Sequence, residues 1–81
     1  MDVIGRARKA ELLLVDEVFK AAQDVVYENC VGVFRHPNST QDEIMEAHRI
    51  VLAQSKMTEA LQSFVDAGKM FDRQLKKGSG P

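Results

Sequence analysis

Near the midpoint of this 81-residue chain, His36-Pro37-Asn38-Ser39-Thr40 sets a helix stop directly before a helix start. Pro37 has no backbone N–H and pushes the residue before it out of the helical region, so a helix arriving from the N-terminal side ends by His36. Thr40 followed by Glu43 has the spacing of a capping box, in which the Thr hydroxyl accepts from a helical N–H while the Glu carboxylate reaches back to the cap. Both flanks carry long helical patterns. A short polar connection between them returns the second helix along the first, so the expected fold is all-α, a long antiparallel helical hairpin with its tip at Asn38.

The first arm reads as one helix over about 3–35, with Asp2 as a plausible N-cap, no internal proline and many helix formers. Its apolar residues fall into two interleaved stripes at steps of three and four. Leu12, Val15, Phe19, Ala22, Val26, Cys30 and Val33 make one; Ile4, Ala7, Leu14, Val18, Ala21 and Val25 make the other. Asn29 and Gly32 are weak helix formers, so fraying or a kink is expected after Asn29. The turn occupies 36–40. The second helix is expected over about 41–77, with Asp42 and Glu43 in its first turn and Lys76 and Lys77 in its last, matching the macrodipole. Ile50, Met57, Phe64 and Phe71 stand seven apart in it, flanked by Ile44, Val51 and Val65 and by Ala47, Leu61, Gly68 and Leu75. Gly68 inside a helix implies close approach of another backbone or a bend. Residues 1–77 thus read as a single helical-hairpin domain, and 78–81 as a flexible tail.

Two antiparallel helices share one line of contact, which hides one stripe on each. Here the first helix offers two stripes and the second a three-column face, leaving a patch that includes Val18, Val25, Ile50, Met57, Leu61, Phe64 and Phe71. Pairing of hairpins into a homodimeric four-helix bundle covers it. A break at Asn29 to Gly32, giving a three-helix monomer, is the alternative.

Chemistry finds little support in the residues. His36 and His48 are twelve apart, no Glu-x-x-His or His-x-x-x-His pair exists, and Cys30 is the only cysteine. Asp16 with Glu17, and Asp42, Glu43 and Glu46, read as solvated surface and a helix N-terminus rather than catalytic carboxylates. Ser55, Thr58 and Ser63 have no partner histidine at helical spacing, and no glycine-rich phosphate loop is present. No cofactor or metal is expected, and no enzyme. One thiol fits a reducing compartment, and no stretch approaches a membrane span or a secretory signal, so the expected setting is cytoplasmic.

The charges are polarised along the hairpin. Arg6, Arg8, Lys9, Lys69, Arg73, Lys76 and Lys77 gather at the end where the first helix starts and the second finishes, whereas Asp24, Glu28, Asp42, Glu43 and Glu46 lie toward the turn. The sequence therefore reads as a small, non-enzymatic, intracellular protein–protein interaction module, a regulator, inhibitor or adaptor that presents apolar helix faces to itself or to another protein. The alternative is a nucleic-acid-associated helical protein that uses its basic end, against which the formal net charge of −1 argues.

Overall fold

The computed structural model describes residues 2–79 and shows an all-α bundle of three helices, α1 (Val3–Val15), α2 (Glu17–Arg35) and α3 (Gln41–Ser79). Residues 80–81 of the expected tail lie outside the described residues. α3 continues through position 79 rather than stopping at Lys77. α1 and α2 follow one another along α3, in the opposite direction to it. Ala7 lies against Gly68, Gln23 is bonded to Gln54, and Cys30 faces Ala47. The result is a rod measuring 67 × 22 × 19 Å.

The strict two-helix hairpin is corrected at Asp16. There the backbone turns extended, with φ −69° and ψ 127°, and the first arm becomes two helices. The Asp16 carboxylate accepts from the Phe19 N–H at 2.7 Å, which makes it the N-cap of α2. Its own N–H donates to the Leu13 carbonyl and closes α1. The two apolar stripes explain why a break helps. α1 turns Val3, Ala7, Ala10 and Leu14 toward α3, at steps of four, three and four, whereas α2 turns Phe19, Gln23, Val26, Cys30 and Val33. Leu14 to Phe19 is a step of five, which no unbroken helix keeps on one face. The elbow thus transfers the contact with α3 from one stripe to the other.

No break occurs at Asn29 to Gly32, where a kink was expected. α2 runs on to Arg35, and Gly32 has open space around it, so its weak propensity is carried by the intact helical ladder on either side. Asp16→Ala is expected to cost about 1–2 kcal/mol, the loss of an N-cap together with the elbow it fixes. Urea unfolding measures it. A cost below a few tenths would mean that packing, not the cap, sets the elbow.

The turn is held from several sides. The Glu43 N–H donates to the Thr40 hydroxyl at 3.1 Å and the Thr40 N–H donates to the Glu43 carboxylate at 3.1 Å, a complete capping box. The Ser39 hydroxyl donates to the Val33 carbonyl at 2.7 Å, and the Asn38 N–H to His36 Nδ1 at 3.1 Å. His36 stands at the C-cap of α2, where a side chain could serve the terminal carbonyls. Instead its ring nitrogen accepts, and its backbone N–H serves the Gly32 and Val33 carbonyls.

The hydrogen bonds from the Thr40 N–H and hydroxyl hold the Glu43 carboxyl below its ordinary pKa. A depressed folded pKa gives stability that is present above the unfolded value and lost as pH falls through the folded one. The stability difference between wild type and Glu43→Gln should therefore shrink on acidification in that window. Thr40→Ala is expected to cost about 1 kcal/mol, and the Thr40→Ala/Glu43→Ala pair less than the sum of its single changes. Additive costs would show that the two side chains do not act as one motif.

Candidate interaction face

The most buried positions of the helix contacts are compact side chains: Ala7, Ala10, Cys30, Ala47 and Val65, with Gly68 beside them, and half-buried Leu14, Phe19, Leu61 and Phe64 around them; among the described residues no large side chain is fully buried. Small side chains bring the helix axes close but remove little apolar area from water. Other large apolar side chains are outside: Val18 is 77% exposed, Val25 60%, Met57 56%, Phe71 41% and Ile50 36%. Phe64 and Leu61 are half-buried, Leu61 being part of the α3 row that follows Ala47, Val51, Gln54 and Thr58 toward Val65 and Gly68.

Geometry gathers most of the exposed positions on one side. In an antiparallel pair, the residue just before each contact position points to the same side on both helices, because one helix winds up and the other down. Two observations fix which side this is, and the rule then adds Val18 and Val25. The Arg6 guanidinium lies 4.3 Å from the centre of the Phe64 ring, and these residues precede Ala7 and Val65. Asn29, preceding Cys30, shares a groove with Glu43, Glu46 and Ile50, which precede Ile44, Ala47 and Val51. Val18 and Val25 precede Phe19 and Val26. On α3 the same side carries Ile50, Ala53, Met57, Ala60, Phe64, Ala67 and Phe71, apolar throughout. The opposite side holds Arg8 and Glu11 near Lys69 and Asp72, and Lys20 and Asp24 near Thr58, with Tyr27, Phe34, Met45 and Leu52 closer to the turn.

The groove of about 510 Å³ between α2 and α3 is the most apolar concavity of this face, lined by Val26, Cys30, Val33, Ala47 and Ile50 and rimmed by Asp42, Glu43 and Glu46. Cys30 is buried in its floor as a free thiol. One polar bond crosses the helices nearby: the Gln54 amide donates to the Gln23 carbonyl at 3.0 Å and fixes the register of α2 on α3.

The seven basic residues are interspersed with acids or engaged in packing, and Lys77 is exposed. Arg6 is laid over Phe64 with its Nε buried and without a hydrogen-bond partner, so its cation is engaged in packing. Arg8 and Lys69 stand with Glu11 and Asp72 on the other side. Lys76 pairs with Asp72 at 3.1 Å, and Lys9 and Arg73 are exposed.

Sequence reasoning named Val18, Val25, Ile50, Met57, Phe64 and Phe71 but also placed Leu61 with them, which the structure turns instead into the row packed on α1 and α2; it named neither Ala53, Ala60 and Ala67 between them, nor Asp16 as a cap, Gln23, Gln54 or the Arg6–Phe64 stack. The alanines were legible as the intermediate steps of the Ile50 to Phe71 column; the Gln54 bond ends on a backbone carbonyl and leaves no side-chain pattern. Among the described residues, no group of three or more His, Cys, Asp or Glu is placed to hold a metal ion, and no helix is long and apolar enough to cross a membrane. No protein-family model, curated protein or solved structure matches the chain.

Proposed function

We propose that this chain is a non-enzymatic protein–protein interaction module, a regulator, inhibitor or adaptor in a reducing compartment, that acts through the face carrying Val18, Val25, Ile50, Met57, Phe64 and Phe71. The observation behind this reading is how much apolar side chain is left uncovered: among the described residues five form the buried apolar set, while Val18, Val25, Ile50, Met57 and Phe71 stay exposed. Area supports it. The accessible surface is 6511 Å², whereas a folded monomer of this mass exposes about 4,900 Å². The excess, on the order of 1,600 Å² per chain, exceeds the roughly 800 Å² that each partner contributes to a standard interface. Pairing of two chains into a homodimeric four-helix bundle covers the face without any other protein.

Sedimentation equilibrium with thermal melts across a hundredfold concentration range tests this. A dimer mass and a melting temperature that rises with concentration are the expected results. A monomer at every concentration, with a fixed melting temperature, would remove self-association and leave the face to a different protein. The nucleic-acid reading has less support, since Arg6 is laid on Phe64, Arg8 and Lys69 stand beside Glu11 and Asp72, and Lys76 pairs with Asp72.

A further inference from the structure

We infer that the two chains pair head to tail, so that the basic, aromatic end of α3 from one chain fills the apolar groove beside the turn of the other. This rests on the dimer reading above and adds its orientation. Charge is the first argument. The groove is rimmed by Asp42, Glu43 and Glu46, of which Glu43 caps α3 and Glu46 pairs with Arg49 at 3.3 Å, while the other end of the rod, where Phe71 and Leu75 are exposed, carries Arg73, Lys77 and the Lys76 paired with Asp72. A two-fold axis across the rod brings these unlike ends together. An axis along the rod would set acid on acid and base on base.

Register is the second argument. Ala60 is the middle residue of α3 (Gln41–Ser79). It is also the middle of the apolar column, whose side chains alternate large and small and read the same from either end: Ile50, Ala53, Met57, Ala60, Phe64, Ala67, Phe71. With the axis at Ala60, the two α3 helices run antiparallel, Ala60 meets its own copy, and Ala53 meets the partner's Ala67. Phe71 then arrives beside Ile50 at the groove. The alanines at every seventh residue let the helices approach, and the large residues fill the spaces between. The axis also passes near the elbow at Asp16, which lies opposite the middle of α3.

Cysteine pairing reads this directly. In a Cys30→Ala background oxidised with glutathione disulfide, Ala60→Cys should give a covalent dimer. Ala53→Cys and Ala67→Cys should each stay unlinked alone and link when mixed. Two copies of position 53 lie about 21 Å apart along antiparallel helices at 1.5 Å per residue, far beyond the roughly 4.4–6.8 Å that a disulfide spans between Cα atoms. Self-linking of Ala53→Cys, or a chain that sediments as a dimer while Ala60→Cys does not link, would overturn the orientation alone. Absence of any dimer would overturn the reading beneath it.

Charge reversal on the surface gives a second measurement that does not depend on a core substitution. Glu46→Lys should weaken dimerisation by about two- to fivefold, and more at low salt than at high, because the basic end of the partner lies nearest it. Tighter dimerisation of Glu46→Lys would place the acidic ends together and defeat the head-to-tail arrangement.

Discussion

Gly68→Leu is expected to lower stability by about 3 kcal/mol, the upper part of the range for overpacking, and to detach α1 from α3. A methyl group at position 68 would collide with the Ala7 Cβ, and the Val3 carbonyl oxygen stands 3.7 Å from the same point. The colliding atom is a Cβ fixed to the α1 backbone rather than the tip of a flexible side chain, so it cannot swing aside, and the carbonyl leaves a longer side chain no room to turn past it. Gly68→Ala is the finer test, because two effects of opposite sign compete. Alanine gains about 1 kcal/mol of helix propensity over glycine, but the added methyl forces the helices apart and weakens the contact that buries Ala7 and Ala10. The expected outcome is a net loss. Ala7→Gly combined with Gly68→Ala exchanges the methyl across the contact and should recover much of that loss, a coupling that distant sites do not show. Urea denaturation of the four chains decides it. If Gly68→Ala is stabilising by the full propensity difference, α1 is not seated on α3 as described.

Gly68 also shows what the sequence made legible. A glycine inside an apolar helical column has few explanations, and close backbone approach, one of the two expected, is what occurs at Ala7. The turn was legible for a similar reason: Pro37, Thr40 and Glu43 act within a few residues of themselves, so local spacing determines their structure. The break in the first arm was not located because Asp16 is an ordinary helix-surface residue until the tertiary contact is known. The informative sign was the coexistence of two stripes on one segment. An unbroken helix can turn only one of them toward a single neighbour, and the N-cap at Asp16 lets α1 use the stripe of Ile4, Ala7 and Leu14 while α2 uses that of Phe19, Val26, Cys30 and Val33. Leu12, Val15, Val18 and Val25 are the unused halves of those stripes, and all four are exposed. The candidate face was partly legible for the same reason, since Val18 and Val25 come from one unused half. Its two-sidedness needed the antiparallel direction and the Arg6–Phe64 contact, which no periodicity contains.

Phe64→Ala should have an effect whose size depends on protein concentration. Within one chain Phe64 is half-buried, covered on one face by the Arg6 guanidinium. An exposed cation–π contact contributes about 0.5–1 kcal/mol, and the partly removed ring area adds an amount of similar order, so a single chain should lose only about 1–2 kcal/mol. Water reaching the Arg6 Nε, which is buried without a partner, offsets part of even that loss. In a paired face the ring is enclosed from both sides, and truncating an enclosed aromatic costs about 3–5 kcal/mol. The expected result is the larger cost at concentrations where the chain is paired, falling toward the smaller one on dilution. Leu52→Ala is the control on the opposite side, where a 49% exposed leucine outside the proposed face should cost less than about 0.5 kcal/mol at any concentration. Denaturation of both variants at micromolar and at several hundred micromolar chain separates the cases. A small, concentration-independent effect at Phe64 would make its column ordinary surface, and a large one at Leu52 would move the interface to the other side of the rod.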